Sequence, residues 1–274
     1  MKYQVPIFIV STGRAGSKMI AKTLAKHPAA LALHEPLPNL NMEAFAHWKS
    51  SHTTQEIKKR VSSKRRDLLN KVEGNGLIYI ESSHYCSHLI LILNDLYGAK
   101  FMYLYRDGRD FVRSGLEREG WYPENIFSSH LQGKKKILQA FKRKVRRRFL
   151  KQVGYTWEDH RLLPPDKYRS RVEKISWLWV EINTVIQNSL SKLPADKHIS
   201  IRLEDFNKGG LNKVLSFLEL TASDSIKAQM VKTSEQKPNK TDDRTVLPFN
   251  EWKKRDKGKF WNIAKEMMET LEYV

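Results

Sequence analysis

The chain has 274 residues, which suits one large α/β domain or two small ones, and its 40% hydrophobic content is enough to bury a real core. The 49 Lys and Arg against 30 Asp and Glu give a formal net charge of +19, which predicts a positive field drawing polyanions, phosphorylated ligands or anionic lipid. The only cysteine, Cys86, excludes an intramolecular disulfide and a cysteine zinc cluster and favours a reducing, intracellular setting.

Residues 5–10 read as a buried strand with Pro6 at its start. The run is too short for a membrane span and lacks a signal-peptide cleavage pattern. Because it begins almost at Met1, a complete, soluble, cytoplasmic protein is expected, with peripheral membrane contact left open. A Gly-containing turn leads into a helix over 17–26 that Pro28 ends. Residues 29–33 form a second apolar stretch, closed by His34, Glu35 and Pro36, and 41–73 reads as helical and polar. A strand at 77–80, a helix at 87–96 and the clearest parallel strand at 100–105 follow. That last strand is apolar nearly throughout, as a sheet covered on both faces requires. The alternation argues for a doubly wound α/β fold.

From 117 to 170 the pattern changes to a helical insertion within one domain spanning 1–274. Residues 134–151 carry ten basic side chains and no acidic one. Ile137, Phe141, Val145 and Phe149 recur every four residues there, the mark of an amphipathic helix. It either packs on the domain with a solvated basic face or meets an anionic membrane surface or polyanion. No specific nucleic acid is expected. Helices over 172–189, 211–218 and 258–271, a strand over 199–203 and a polar loop over 234–243 complete the chain.

The strongest local signal is strand, loop and helix over 5–26, with Gly13, Arg14, Ala15, Gly16, Ser17 and Lys18 in the loop. The glycines permit a tight turn, and the free N–H groups of the following helix can cradle a phosphate. Arg14 and Lys18 add charge and Ser17 a hydroxyl. This is not the ATP or GTP loop. Placing that motif's lysine on Lys18 puts Thr12 and Ser17 where glycines belong and Met19 where the Mg²⁺-binding hydroxyl belongs. The loop therefore points to a donor whose chemistry needs no metal, and no metal site is expected.

With this loop, the chain resembles the sulfotransferase superfamily that uses PAPS (3′-phosphoadenosine 5′-phosphosulfate), particularly its carbohydrate and bacterial branches. A second match is YLYRDGRDFVRS, with Arg106 closing a strand and Ser114 eight residues on. A third is IRLEDFNKGGLNKVLSFLEL. The resemblance implies a P-loop-like three-layer fold with a central, mainly parallel sheet, PAPS as donor and PAP (the desulfonated nucleotide) as product. It also implies a 5′-phosphosulfate at residues 13–18 and a 3′-phosphate on Arg106 and Ser114. The chain departs from the cytosolic branch at Leu203, where that branch has an adenine-facing tyrosine. It lacks that branch's Arg-Lys-Gly, for which Lys240 and Arg244 are the available substitutes. Lys18 stands where Ser or Thr is usual.

Sulfuryl transfer needs a base near the acceptor and fixed positive charge near the leaving group. Arg14 is assigned to the departing phosphate. Glu35 is the preferred base: it follows the second strand, and Pro36 is expected to hold it extended. HEPL also resembles the Glu-Pro-Leu of carbohydrate sulfotransferases. His84 is the main rival, since it follows the middle strand and histidine as a residue type suits proton transfer near neutral pH. Glu81 is a third option. His34 is read as a substrate contact or a partner of Glu35, and Asp107, Arg109 and Asp110 as ion partners in the turn of Arg106. Of Trp177 and Trp179, one is expected in the core and the other along an acceptor cleft, which Trp121 and Tyr122 could border. The acceptor stays open among a carbohydrate, a lipid head group and a small metabolite. Two other functions stay open as well: a kinase with a divergent loop, and a basic membrane- or nucleic-acid-binding protein with a silent nucleotide fold.

Overall fold

The computed structural model describes residues 4–38, 40–48, 53–118, 121–122, 162–235 and 246–274. Its strands are β1 (Ile7–Val10), β2 (Ala30–His34), β3 (Ile78–Ser82), β4 (Lys100–Tyr105) and β5 (His198–Arg202). They form one sheet in the order β2-β3-β1-β4-β5, and every pairing is parallel. Parallel strands need crossovers that cover both faces, and the sequence supplies apolar side chains in both directions. Phe8, Val10, Tyr79, Phe101 and Tyr103 pack to one side. Ile7, Ile9, Ile80, Met102, Leu104 and Ile201 pack to the other.

Nine α-helices lie among the described residues: α1 (Ser17–Leu24), α2 (Leu40–Trp48), α3 (Thr54–Glu73), α4 (Ile90–Tyr97), α5 (Gly108–Leu116), α6 (Arg171–Leu190), α7 (Leu211–Phe217), α8 (Asp224–Glu235) and α9 (Lys254–Thr270). Residues of α1, α7 and α8 join the core on the β1 isoleucine face, and those of α2 to α6 and α9 the core on the Phe8 face. The result is the three-layer α/β architecture expected from the sequence. α3 and α6 start at capping boxes, Thr53 with Glu56 and Ser170 with Glu173, each satisfying two otherwise orphaned N–H groups.

Several elements differ from the sequence reading. The helical stretch over 41–73 is two helices, α2 and α3. The helix expected over 87–96 is a 3₁₀ turn, His84–His88, followed by α4. α8 was not expected at all. The basic run 134–151, Lys240 and Arg244 lie outside the described residues, as does most of the 117–170 insertion.

Within the 3₁₀ turn, His88 is buried between Phe45 and Trp48, at ring separations of 5.7 and 6.3 Å, and its Nδ1 has no hydrogen-bond partner among the described residues. Burial, helped by the charges of His84 and His47, pushes its pKa down from 6.5 to about 3. Folded His88 therefore stays neutral while the unfolded chain takes a proton below pH 6.5, so stability is lost as pH falls from 6.5 toward 3. Between pH 7 and pH 5 this one group should remove about 2 kcal/mol. Urea unfolding of the parent and of His88→Gln at both pH values checks it: the loss on acidification should be smaller in the variant by that amount.

Candidate active site

The loop after β1 turns by left-handed steps. Gly13, Arg14 and Gly16 have φ of +72°, +54° and +81°. Such steps aim successive N–H groups toward one point. Gly16 caps α1 with no side-chain hydrogen bond, so the first-turn amides of α1 are left for an anion. Leu203, at the end of β5, packs directly on this glycine; a Cβ there would lie 2.4 Å from Leu203 Cδ1.

Three fully buried serines fix the loop to its neighbours. Ser87 Oγ accepts from the Ser11 N–H at 3.1 Å and donates to the Ser11 carbonyl at 2.9 Å. Ser11 Oγ accepts from the Gly13 N–H at 3.2 Å. Ser82 Oγ donates to the Ser17 carbonyl at 3.1 Å. Sequence reasoning missed Ser82 and Ser87, because a serine's role here is set by contacts distant in sequence.

On the other side of the loop stands a cationic group. Arg106, directly after β4, donates from Nη1 to the Arg14 carbonyl at 3.0 Å, and Arg14 Nε donates to Ser114 Oγ at 3.0 Å. Arg106 Nη2 lies 3.4 Å from Asp110, while its buried Nε has no partner among the described residues. Asp107 instead caps α5 and holds Arg109 at 2.6 Å. Burial, with the charges of Arg118 and Arg106, lowers the Arg14 pKa. Guanidiniums crowded in this way favour an incoming anion. The sequence reading separated Arg14 from Arg106 and Ser114; the structure joins their side chains into one group.

At the ends of β2 and β3 the two rival bases meet. His84 Nδ1 donates to Glu35 Oε1 at 2.8 Å, with about two-fifths of each side chain exposed. The His84 Cβ lies 3.6 Å from where a Cβ on Gly13 would stand, so the pair borders the loop after β1. Because the carboxylate only accepts, Nδ1 carries the proton of this bond, an arrangement that in the neutral imidazole makes Nε2 the acceptor. The hydrogen bond from His84 holds the Glu35 carboxyl below its ordinary range, with His34 and Lys18 adding to the effect. His34 Nδ1 donates to the Ser82 carbonyl at 3.1 Å.

Three expectations are corrected. Glu35 is not extended; its φ is +47°. Its N–H closes the β2–β3 ladder on the Ser82 carbonyl at 3.0 Å, and the chain must then turn left-handed, which overrides the preference set by Pro36. Glu81 is no base for an acceptor, since it is fully buried and its carboxylate is held by Arg65, Tyr79 and Tyr85. Trp177 and Trp179 are both buried, and Trp179 Nε1 donates to the Arg106 carbonyl at 3.3 Å. Trp121 packs on Phe111 at a ring separation of 5.7 Å, and the Tyr122 hydroxyl donates to the Leu162 carbonyl at 2.7 Å.

No protein-family model matches the sequence, and no curated protein matches it. Solved structures do match. The sulfotransferase domain from the curacin biosynthetic pathway aligns with a TM-score of 0.51 at 15% identity, over 97% of this chain and 98% of that one. Sulfotransferase STF9 from Mycobacterium avium aligns with a TM-score of 0.54 at 10% identity, over 98% of this chain and 77% of its own. STF1 from Mycobacterium tuberculosis H37Rv gives 0.51 at 11% identity, over 95% of this chain and 77% of its own. The protein has the sulfotransferase fold. At such identities the likeness is one of fold. Among the described residues no group of three or more His, Cys, Asp or Glu is placed to hold a metal, and no helix is long and apolar enough to cross a membrane.

The loop of this sulfotransferase fold has a narrow tolerance at Gly16. Gly16→Ala should cost about 1–2 kcal/mol for the left-handed backbone and about 1–3 kcal/mol for overpacking against Leu203. Denaturant unfolding of Gly16→Ala with and without Leu203→Ala separates the two. The second substitution should remove the extra cost of Gly16→Ala due to overpacking and leave the backbone cost.

Proposed function

We propose that the protein transfers a sulfuryl group from PAPS to an acceptor hydroxyl or amine, releasing PAP. One observation carries the reading: an uncapped helix start, an Arg14–Arg106–Ser114 group and a Glu35–His84 pair meet around one loop. A donor with a phosphosulfate at one end and a 3′-phosphate at the other needs two anion sites, and the chain offers two. Arg106 Nε, without a partner among the described residues, is in keeping with a donor role toward an anion. A carbohydrate hydroxyl is the acceptor class favoured by the resemblance of Glu35, Pro36 and Leu37 to the Glu-Pro-Leu of carbohydrate sulfotransferases.

When bound, the donor supplies an activated sulfur whose bond to the phosphate oxygen breaks as the bond to the acceptor forms. Gly13 to Lys18 hold the phosphosulfate through the N–H groups opening α1, and the Lys18 ammonium offsets the charge left on the phosphate. Arg106, Ser114 and Arg14 hold the 3′-phosphate. His84 Nε2 takes the acceptor proton. Glu35 keeps Nδ1 protonated, orients the ring and stabilises the imidazolium, which then yields its proton to water. This assignment gives the base role to His84, the rival of Glu35 in the sequence, because the hydrogen bond from His84 holds the Glu35 carboxyl below its ordinary range and makes it a weaker base.

Calorimetry with EDTA present should show PAP binding; binding seen only after Mg²⁺ is added would favour a kinase instead. Arg106→Ala should weaken PAP by one to two orders of magnitude, for a charge-assisted contact of about 1.5–3 kcal/mol. Adenosine 5′-phosphosulfate, which lacks the 3′-phosphate, should lose much less, and equal weakening of both would place Arg106 elsewhere.

Turnover of His84→Ala with a working acceptor should fall by about a hundred- to ten-thousand-fold. Glu35→Gln should also be slow, and the double variant no slower than His84→Ala, because the two act as a unit. Multiplying losses would assign them independent roles.

A further inference from the structure

The 3₁₀ turn that carries His84 is held from two directions by groups facing away from the site. Arg65 of α3 and Glu81 of β3 are both 0% exposed and form a bidentate pair, Nε to Oε2 at 2.8 Å and Nη2 to Oε1 at 2.9 Å. Glu81 also accepts from the Tyr79 hydroxyl at 2.9 Å, the Tyr85 hydroxyl at 2.9 Å and the Cys86 thiol at 3.4 Å. Arg65 Nη2 reaches Cys86 Sγ at 3.4 Å, and its guanidinium lies 5.2 Å from the centre of the Phe8 ring. Tyr85 and Cys86 are the two residues after His84. From the other direction Ser87 bonds both backbone groups of Ser11. Tyr85, Cys86, Ser87 and His88 are all buried, and His84 alone in the turn is partly exposed.

Stability does not account for this pair. Desolvating two charges costs about as much as their attraction returns, and apolar replacements of buried ion pairs are often neutral or stabilising. Directed bonds provide what apolar packing does not, a fixed orientation for the groups that make them. Here the groups converging on Glu81 come from α3, β3 and the turn.

We propose that Arg65 and Glu81 are positioning residues for His84. They hold the turn in the one setting from which His84 Nδ1 reaches Glu35, and they act through Tyr85 and Cys86 without touching a reactant. The link to turnover rests on the proposed function; the link to His84 geometry does not.

The full-length protein is compared with Arg65→Met/Glu81→Leu and with Tyr85→Phe, which removes one bond to Glu81 and leaves the ion pair. Proton NMR follows the hydrogen-bonded Nδ1–H of His84, identified by its absence in His84→Asn. Calorimetry measures PAP affinity, and turnover is measured with the acceptor used for the parent. Both variants should unfold cooperatively and bind PAP like the parent, yet lose or shift the Nδ1–H resonance. The pair variant should turn over about ten- to a hundred-fold more slowly, the range expected when a reacting group is misplaced by about an ångström. Tyr85→Phe should do the same to a smaller extent. An unchanged resonance with unchanged turnover in a folded variant overturns the proposal. Should the pair variant fail to fold, Tyr85→Phe decides by the same criteria. A parent without sulfotransfer would sink the functional reading alone, since the NMR comparison needs neither donor nor acceptor.

Discussion

A parallel sheet delivers the carboxyl ends of all its strands to one edge, and the candidate site of this chain depends on that constraint. β1, β2, β3 and β4 end respectively in the glycine-containing loop, Glu35, the turn of His84 and Arg106. Register sets how closely they meet. His34 pairs with Ser82 and Ile9 with Ser82, so one residue of β3 stands between the exits of β1 and β2. Ser82 uses this place fully. Its carbonyl accepts from the Glu35 N–H and the His34 ring, and its hydroxyl donates to the Ser17 carbonyl at the start of α1. A backbone pairing thus becomes the mount for both the start of α1 and the segment that carries Glu35.

The charges divide by whether an opposite charge meets them at close range. Arg65 and Glu81 neutralise each other in the core through two hydrogen bonds, with tyrosines completing the carboxylate's shell, although Arg65 Nη1 has no partner among the described residues. Arg106 and Arg14 are the opposite case. Arg14 meets the Ser114 hydroxyl, Arg106 meets the Arg14 carbonyl and one carboxylate 3.4 Å away, and among the described residues Arg106 Nε is left unpaired. Crowded like charge with unused donors is costly in a free protein and favourable once an anion arrives. The net charge of +19 strengthens the attraction at long range, but these few side chains set where an anion would stop.

Much of this was legible in the sequence where the signal is local. The residues of the loop are consecutive, so their turn and charge could be read together. Arg106 and Ser114 are eight apart, a strand end and two turns of helix, so their proximity was also within reach. The pairing of Glu35 with His84 was not, because 49 residues separate them and the β2–β3 register brings them together. Read singly they were competitors. Glu81 and Glu35 differ in another way that composition hides: Glu81 lies inside β3 and faces α3, whereas Glu35 lies one residue past β2 and faces the edge. One signal for the buried pair was available. Arg65 falls on the same stripe of α3 as Ile57, Val61 and Val72, a cation on the apolar face of a helix.

Five non-glycine residues among those described have positive φ, and two of them, Arg14 and Glu35, belong to the candidate site. A left-handed setting costs a non-glycine residue on the order of 1–3 kcal/mol, and it persists only where the surroundings over-determine it. Both residues meet that condition through backbone groups. The Arg14 carbonyl is held by Arg106, and the Glu35 N–H by the last rung of the β2–β3 ladder. Arg14 sends its side chain to Ser114, and Glu35 sends its carboxylate to His84. An extended Glu35 would continue the direction of β2 and carry its carboxylate away from the turn. The strain at these two positions is therefore part of how the sheet edge becomes a site, and the buried sheet is what makes it bearable.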